Sequence, residues 1–579
     1  MGSQYLLGER HMKNGSMNEL TPIHPTEEQG ELEDGDYYIM QLPPSHRSSR
    51  RELAFGRRRW DLYLLHLFRL QSKKAQRGCI RCLPTWMSNW TRKRKCKNWV
   101  NVKGGLGFLV AVTLLFFLFS LIEAVFVPSY QTPPKHYQKL YHRIKSTNNP
   151  GRGNPKNEKV FIAANIVNKD LINGAWGNAL LELVDVLGQD NVFVSIYEND
   201  SGQGTSDALT ELKDKLPCNS SIVTGDHINP SDLDKVTLPN GEKRIQRLAY
   251  LAEVRNRALR PIDPSYINDN NVKKPFNFNP VPSSMMVDRV LFLNDVYFAA
   301  ADAAQLLFST NFDKATGRAK YRAACAIDFT ASILFYDTFV VRDTAGGGMG
   351  FMVFPWFASS DQSSSRRDVL EGRDAVRVRS CWGGMAAFDA NAFLQLPQAG
   401  YVDRNGSKES TTDTSISAPR QELRVRFRYH PEIFWEAAEC CLLFADLEQI
   451  LGNPAPDKGT GVFVNPYIRV AYTKRTWMGL DFFRRYERFF KNLQYFASKF
   501  YYPEYNPRQL HEPGQQVRER VWVNNPNPKL GGSFQLLERK ASPGGFCGQR
   551  RLFVMENDIP AANKRGSGKN WQTIPLPNG

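Results

Sequence analysis

From Leu106 to Ile122 seventeen residues run without a charge, and Ala124-Val-Phe-Val127 continues the run past Glu123. At 1.5 Å per residue, about 20 apolar residues cross a hydrocarbon core of about 30 Å, so this stretch predicts one transmembrane helix over 105–127. A cleaved signal peptide would start at the N-terminus and carry a shorter apolar region. Glu123 sits near the far end, where a carboxylate reaches the interface at modest cost.

Further on the pattern changes to short apolar runs between polar ones. Lys159-Val-Phe-Ile-Ala-Ala164 is a continuous run of buried-strand type, residues 176–187 read as a helix, and Asn191-Val-Phe-Val-Ser-Ile-Tyr197 reads as a second strand. Strand, helix, strand predicts an α/β domain with a mostly parallel sheet. Ile245, Leu248, Ala252, Leu259 and Ile262 recur at helical spacing, and Arg289-Val-Leu-Phe-Leu293 is another buried strand. Residues 423–427 alternate, and 432–451 predict a helix. Around this head, 1–104 read as a basic, largely disordered tail. Residues 128–157, with Pro133-Pro134 and Asn148-Asn-Pro-Gly-Arg-Gly-Asn-Pro155, read as an extended stem. The head is expected over 158–501, followed by an irregular wrap and disordered end over 502–579.

The net charge of +17 changes little, because 51–103 alone hold fifteen Lys and Arg against Glu52 and Asp61. Anionic headgroups account for such a cluster without nucleic acid. Arg92-Lys-Arg-Lys95, Lys97 and Lys103 precede the apolar run and none follows directly, so the positive-inside rule predicts a single-pass type II orientation with a lumenal head. Cys218, Cys325, Cys381, Cys440, Cys441 and Cys547 then fall on the oxidising side and permit up to three disulfides, while Cys79, Cys82 and Cys96 stay reduced. Cys79-Ile-Arg-Cys82 lacks the second pair that zinc needs, and juxtamembrane palmitoylation is the better reading. Sequons at Asn219-Ser-Ser221 and Asn405-Gly-Ser407 predict glycosylation, whereas Asn199-Asp-Ser201 is expected bare.

Ligands of an open α/β sheet bind at the carboxyl ends of its strands. Two strands end there in polar residues, Glu198-Asn199-Asp200 and Asn294-Asp295. A lone carboxylate in that place holds a divalent cation with positions open for a diphosphate, or simply ends a strand in a turn. Arg255-Asn256-Arg257 puts a guanidinium in an apolar stripe, which suits a diphosphate, a ribose-contacting carboxylate or a structural ion pair. Trp382-Gly383-Gly384 offers an aromatic face for a sugar and close backbone approach, features that a hairpin turn shares. Asp343-Thr-Ala-Gly346-Gly-Gly348 lacks the Lys-Ser/Thr of a P-loop. On the late helix Glu436, Glu439 and Asp446 fall in one wedge of about 80°. Such a wedge is a base with its orienter or a solvated face; Glu439 is assigned to the site and Glu436 to solvent.

Together, Ile196-Tyr-Glu-Asn-Asp-Ser201, Arg255-Asn-Arg-Ala-Leu259, Phe292-Leu-Asn-Asp-Val296, Cys325-Ala-Ile-Asp-Phe329 with Phe335-Tyr-Asp337, Arg342-Asp343, Cys381-Trp-Gly-Gly384, Glu439-Cys-Cys-Leu442 and Phe463-Val-Asn-Pro-Tyr-Ile-Arg-Val-Ala-Tyr472 resemble the fungal capsule-associated α-1,3-mannosyltransferase family, of the cryptococcal mannosyltransferase type. The resemblance covers residues 159–472. It implies a GT-A-like nucleotide-sugar-binding domain, GDP-mannose as donor, and Mn2+ or another divalent cation as cofactor. Mannose would pass with retention to a hydroxyl of a mannose-containing glycan, in cell-wall, capsule or glycoconjugate synthesis at the Golgi or ER membrane. Asn294-Asp295 takes the place of a DxD motif without its first acid, leaving Asp295 as the metal ligand. The implied roles are donor binding for Glu198, Asn199, Asp200, Arg255, Asn256 and Asn294, catalysis for Glu439 and Asp343, and sugar or acceptor contact for Trp382, Gly383 and Gly384. Donor, glycan and bilayer are the expected partners, with no nucleic acid. The altered DxD keeps open a non-catalytic lumenal scaffold for polysaccharide assembly, and another donor such as UDP-xylose is a further alternative.

Overall fold

Where the sequence predicts an extended stem, Lys135–Ser146 forms a helix (α1) that lays Tyr137, Leu140 and Ile144 into an apolar layer. Their spacing of three and four residues is that of one helix face, set among polar neighbours. The computed structural model describes residues 107–577 apart from 109, 128, 200, 361–362, 395–423, 452–459, 501–505 and 557–570. The tail expected over 1–104, Asp200 and the sequon at Asn405 lie outside the described residues. All that follows belongs to the compact unit Tyr38–Gly579.

Val160–Ala164 (β1) sends Val160, Ile162 and Ala164 to one apolar layer and Phe161 and Ala163 to the other, because a strand alternates its faces. Burial on both faces is why it reads as an unbroken apolar run. Ala175–Leu187 (α2) leads to Val192–Tyr197 (β2), and Asn219–Val223 (β3) follows. Arg247–Leu259 (α3) precedes Arg289–Leu293 (β4), Ala300–Ser309 (α4), Ala323–Ala331 (β5), Leu334–Phe335 (β6), Val376–Arg377 (β7) and Met385–Asp389 (β8). Then come Glu436–Ala437 (β9), Glu439–Leu451 (α5) and Val462–Ala471 (β10). The main sheet runs β7-β10-β5-β8-β4-β1-β2-β3, with β6 on β5. On this path β8 is antiparallel to β4 and β5, β7 is antiparallel to β10, and the other neighbours are parallel. Helices α1, α2 and α4 cover one face, and α3 and α5 cover the other.

The late helix starts at Glu439, later than its pattern predicts. Phe434 takes a left-handed φ of 60°, which a helix cannot carry, and Glu436 and Ala437 pair instead with Gln549 and Gly548 of Gly548–Gln549 (β11). A disulfide between Cys441 and Cys547 fastens this distant segment to α5, and a second joins Cys325 of β5 to Cys381. The region read as an irregular wrap also contains a hairpin of Gln516–Asn524 against Gly532–Lys540. Residues 424–430 form no strand.

The expected transmembrane helix requires correction. Residues 110–126 are helical, but among the described residues no helix is long and apolar enough to cross a membrane. Two polar groups of the apolar stretch, Ser120 and Glu123, are engaged by the head. Glu123 accepts a hydrogen bond from Lys491 at 2.5 Å and lies 3.9 Å from Arg488, and Asn492 donates to Ser120 at 3.1 Å. Phe116 packs edge-on against Phe496, and Phe117 stacks on Phe489. An apolar count along the chain could not see that a distant segment supplies partners for Ser120 and Glu123.

Candidate active site

The carboxyl ends of β4, β5 and β10 open on one side of the sheet, and the start of antiparallel β8 lies at the same edge. A cavity sits there. Asn294, Asp328, Asp337, Trp382 and Tyr472 line it from the sheet, Arg247 and Leu248 from α3, and Glu436 and Glu439 from β9 and α5. Gln549, Arg551 and Phe553 close it from the C-terminal segment.

The bend before β8 depends on two glycines. Gly383 has φ +58°, and a Cβ there would meet the Ala326 carbonyl at 2.0 Å; Gly384 has φ +67°, and its Cβ would meet Val296 at 2.9 Å. No larger residue fits this close approach. The bend aims the Trp382 indole N–H at the Asn294 side-chain oxygen, 3.2 Å away, while the Asn294 amide donates to Gly384 O at 2.9 Å. Trp176 secures the Asn294 carbonyl from the other face at 2.9 Å.

Two buried carboxyls meet beside this bend. Asp337 accepts from the amides of Val340 at 3.0 Å and Gly383 at 3.2 Å. Asp328 accepts from the Asp337 amide at 3.1 Å and from the Tyr472 hydroxyl at 2.8 Å. Burial raises both pKa values, and the neighbouring Asp337 charge raises Asp328 further, so Asp328 is the one that holds its proton. Glu436, also buried, is pushed up to about 8 by burial, against the opposing effects of the Phe553 amide, Arg247 and Arg551. Acids kept protonated in this way can donate as well as accept hydrogen bonds, and a hydroxyl can pair with either.

The expected site residues divide by place. Asn294, Trp382 and Glu439 line the cavity; Gly383 and Gly384 shape its wall. Asp295 follows Asn294, is 7% exposed, and is pushed up to about 7 by burial, with its backbone amide and Arg255 opposing. Arg255 lies behind the wall, its Nε 2.9 Å from Glu439 and its guanidinium 4.8 Å above the Trp382 ring. Asn256 exchanges two hydrogen bonds with the Phe427 backbone, at 2.8 and 2.9 Å. Glu198 accepts from the Ser201 amide, and Asn199 is held between the hydroxyls of Tyr197 and Tyr250. Asp343 closes its own glycine turn through the amides of Ala345 and Gly347. None of Glu198, Asn199, Asn256 and Asp343 lines the cavity.

The sequence reading assigns no role in the site to Asp328, Asp337, Arg247 or Arg551. Asp328 did leave a signal, a carboxylate in the middle of Ala323-Ala-Cys-Ala-Ile-Asp-Phe329, where burial without a partner is expensive. Glu436, assigned to solvent, is 3% exposed.

No curated protein matches the chain. Eight chains of solved structure do. One is a mannosyltransferase from Pyrobaculum calidifontis in complex with GDP-Man and Mn2+, 12% identical over 66% of this chain and 74% of that one, with a TM-score of 0.26. So loose a likeness carries no argument about this chain. The family described as Cryptococcal mannosyltransferase 1 matches residues 159–446, which contain Asn294, Asp295, Asp328, Asp337, Trp382, Glu436 and Glu439. The chain therefore belongs to the cryptococcal mannosyltransferase 1 family of glycosyltransferases.

Proposed function

We propose that the chain transfers mannose from GDP-mannose to a hydroxyl of a mannose-containing glycan, forming an α-1,3 linkage, with Mn2+ or another divalent cation at Asp295. The observation that carries this reading is the single cavity where the Trp382 ring, carboxyls held towards their protonated forms and Asn294 meet, with Asp295 next in the chain. Among the described residues no group of three or more His, Cys, Asp or Glu side chains could hold a metal by itself. A lone carboxylate fits the other kind of Mg2+ or Mn2+ site, in which a substrate diphosphate and water complete the shell, and Asp295 would hold such an ion. The bound ion would supply positive charge against the charge developing on the departing GDP. The indole face of Trp382 would stack on a sugar, and Asp328 and Asp337 would bond its hydroxyls.

Purified protein should release GDP from GDP-mannose and extend an α-mannoside when Mn2+ is present, and EDTA should abolish turnover. Faster use of UDP-xylose would overturn the donor, and an NMR spectrum showing another linkage would overturn α-1,3. Failure to bind GDP with Mn2+ at millimolar ligand would favour the scaffold.

The lumen of the secretory pathway is the compartment we propose for the head. Its two disulfides support that placement, since such bonds persist where conditions are oxidising. Asn219, exposed at the start of β3, should then carry a glycan. Part of an endoglycosidase-sensitive mobility shift should vanish in Asn219→Gln; an unchanged shift removes this site.

A further inference from the structure

The two carboxylate oxygens of Glu436 differ. Oε1 accepts the Phe553 amide at 2.5 Å, while Oε2 is buried and has no hydrogen-bond partner among the described residues. An oxygen left so is costly unless something else pairs with it. Glu436 lines the cavity, so the missing partner can come from a bound molecule. The charged groups around it are Arg247 from the start of α3, Arg551 just past β11, and Glu439 from α5. The pairing of β9 with β11 sets where the Glu436 side chain stands. The Cys441–Cys547 bond holds that pairing in place.

We propose that Glu436 is a sugar-binding residue whose Oε2 pairs with a hydroxyl of the acceptor glycan or of the transferred mannose. What fills the cavity rests on the mannosyl-transfer reading; the unpaired oxygen does not. Burial keeps the group protonated up to about pH 8, so Oε2 can donate as well as accept below that pH, and ionisation above it removes the donor.

Two variants test this. Glu436→Met keeps the bulk and removes both oxygens; Glu436→Gln keeps the acceptor for Phe553 and puts an N–H donor at the Oε2 position. Glu436→Met should raise a KM about tenfold, the scale of one lost hydrogen bond in a buried site. A rise confined to the acceptor identifies the glycan as the source of the hydroxyl. A rise in the KM for GDP-mannose hydrolysis without acceptor identifies the transferred mannose. Glu436→Gln should lose less than Glu436→Met and lack the wild-type decline in affinity above about pH 8. A folded Glu436→Met with wild-type KM for both substrates would overturn the proposal. Should that variant not fold, a Glu436→Gln pH profile identical to wild type overturns it instead. If the wild type transfers no mannose, only the mannosyl-transfer reading falls. Binding of methyl α-mannoside by NMR then decides: weakened by Glu436→Met, it supports the proposal; equal in both, or absent in the wild type, it refutes it.

Discussion

Replacing Asp295 with Asn should lower mannosyl transfer at least about 10²-fold while the protein stays folded. The residue follows β4, directly after the cavity-lining Asn294, and is 7% exposed. Burial raises the pKa of its carboxyl to about 7, so the protein already bears a cost for charge there. An amide of nearly the same size removes that charge without opening space beside Leu293. Stability should therefore change little, whereas a cation whose shell is completed by diphosphate would lose the carboxylate proposed to hold it. If Asp295 were a turn residue and nothing more, the substitution would cost about 1 kcal/mol of stability and spare activity. Thermal midpoint, transfer rate and Mn2+ titration of both proteins separate the cases. Transfer near the wild-type rate would remove Asp295 from the metal site.

Arg255→Met should cost about 3–5 kcal/mol of stability. The Arg255 and Glu439 side chains are 8% and 1% exposed and meet at 2.9 Å. The guanidinium also lies over the rings of Trp382 and Phe427, at 4.8 and 5.7 Å. Deleting the cation leaves the Glu439 carboxylate buried without its counter-charge. Removing both, as Arg255→Met with Glu439→Met, should restore much of the loss, since a buried pair replaced by apolar side chains is often close to neutral. Urea unfolding of the single and double variants measures this. A single variant within about 1 kcal/mol of wild type would show that the pair contributes no such stability.

Much of the sheet could be read from the chain because β1, β2 and β4 are buried on both faces and leave continuous apolar runs. The stripe on α3 was equally plain. The start of α5 was not, for a wheel drawn over 432–451 assumes a helix where Glu436 pairs with Gln549, more than a hundred residues further on. No local pattern encodes a pairing of that range, and the same error sent Glu436 to solvent. The apolar run at 106–122 misled for a related reason: hydropathy is a sum over neighbours in sequence, while Ser120 and Glu123 meet Asn492 and Lys491. The strand end before Asn294 and Asp295 was legible because a strand end is a local feature. Arg255 was legible only as a choice between ligand and ion pair, since its partner is 184 residues away.

The Cys441–Cys547 bond has a consequence for how this enzyme type diversifies. Tyr472, Gln549, Arg551 and Phe553 face the cavity but lie beyond the segment that defines the family, which ends at residue 446. Two chains could agree throughout that segment and still present different walls to an incoming sugar. A covalent tether lets the appended wall change sequence while its position stays anchored to α5, so acceptor preference can drift without disturbing Asn294, Asp295 or the carboxyl pair.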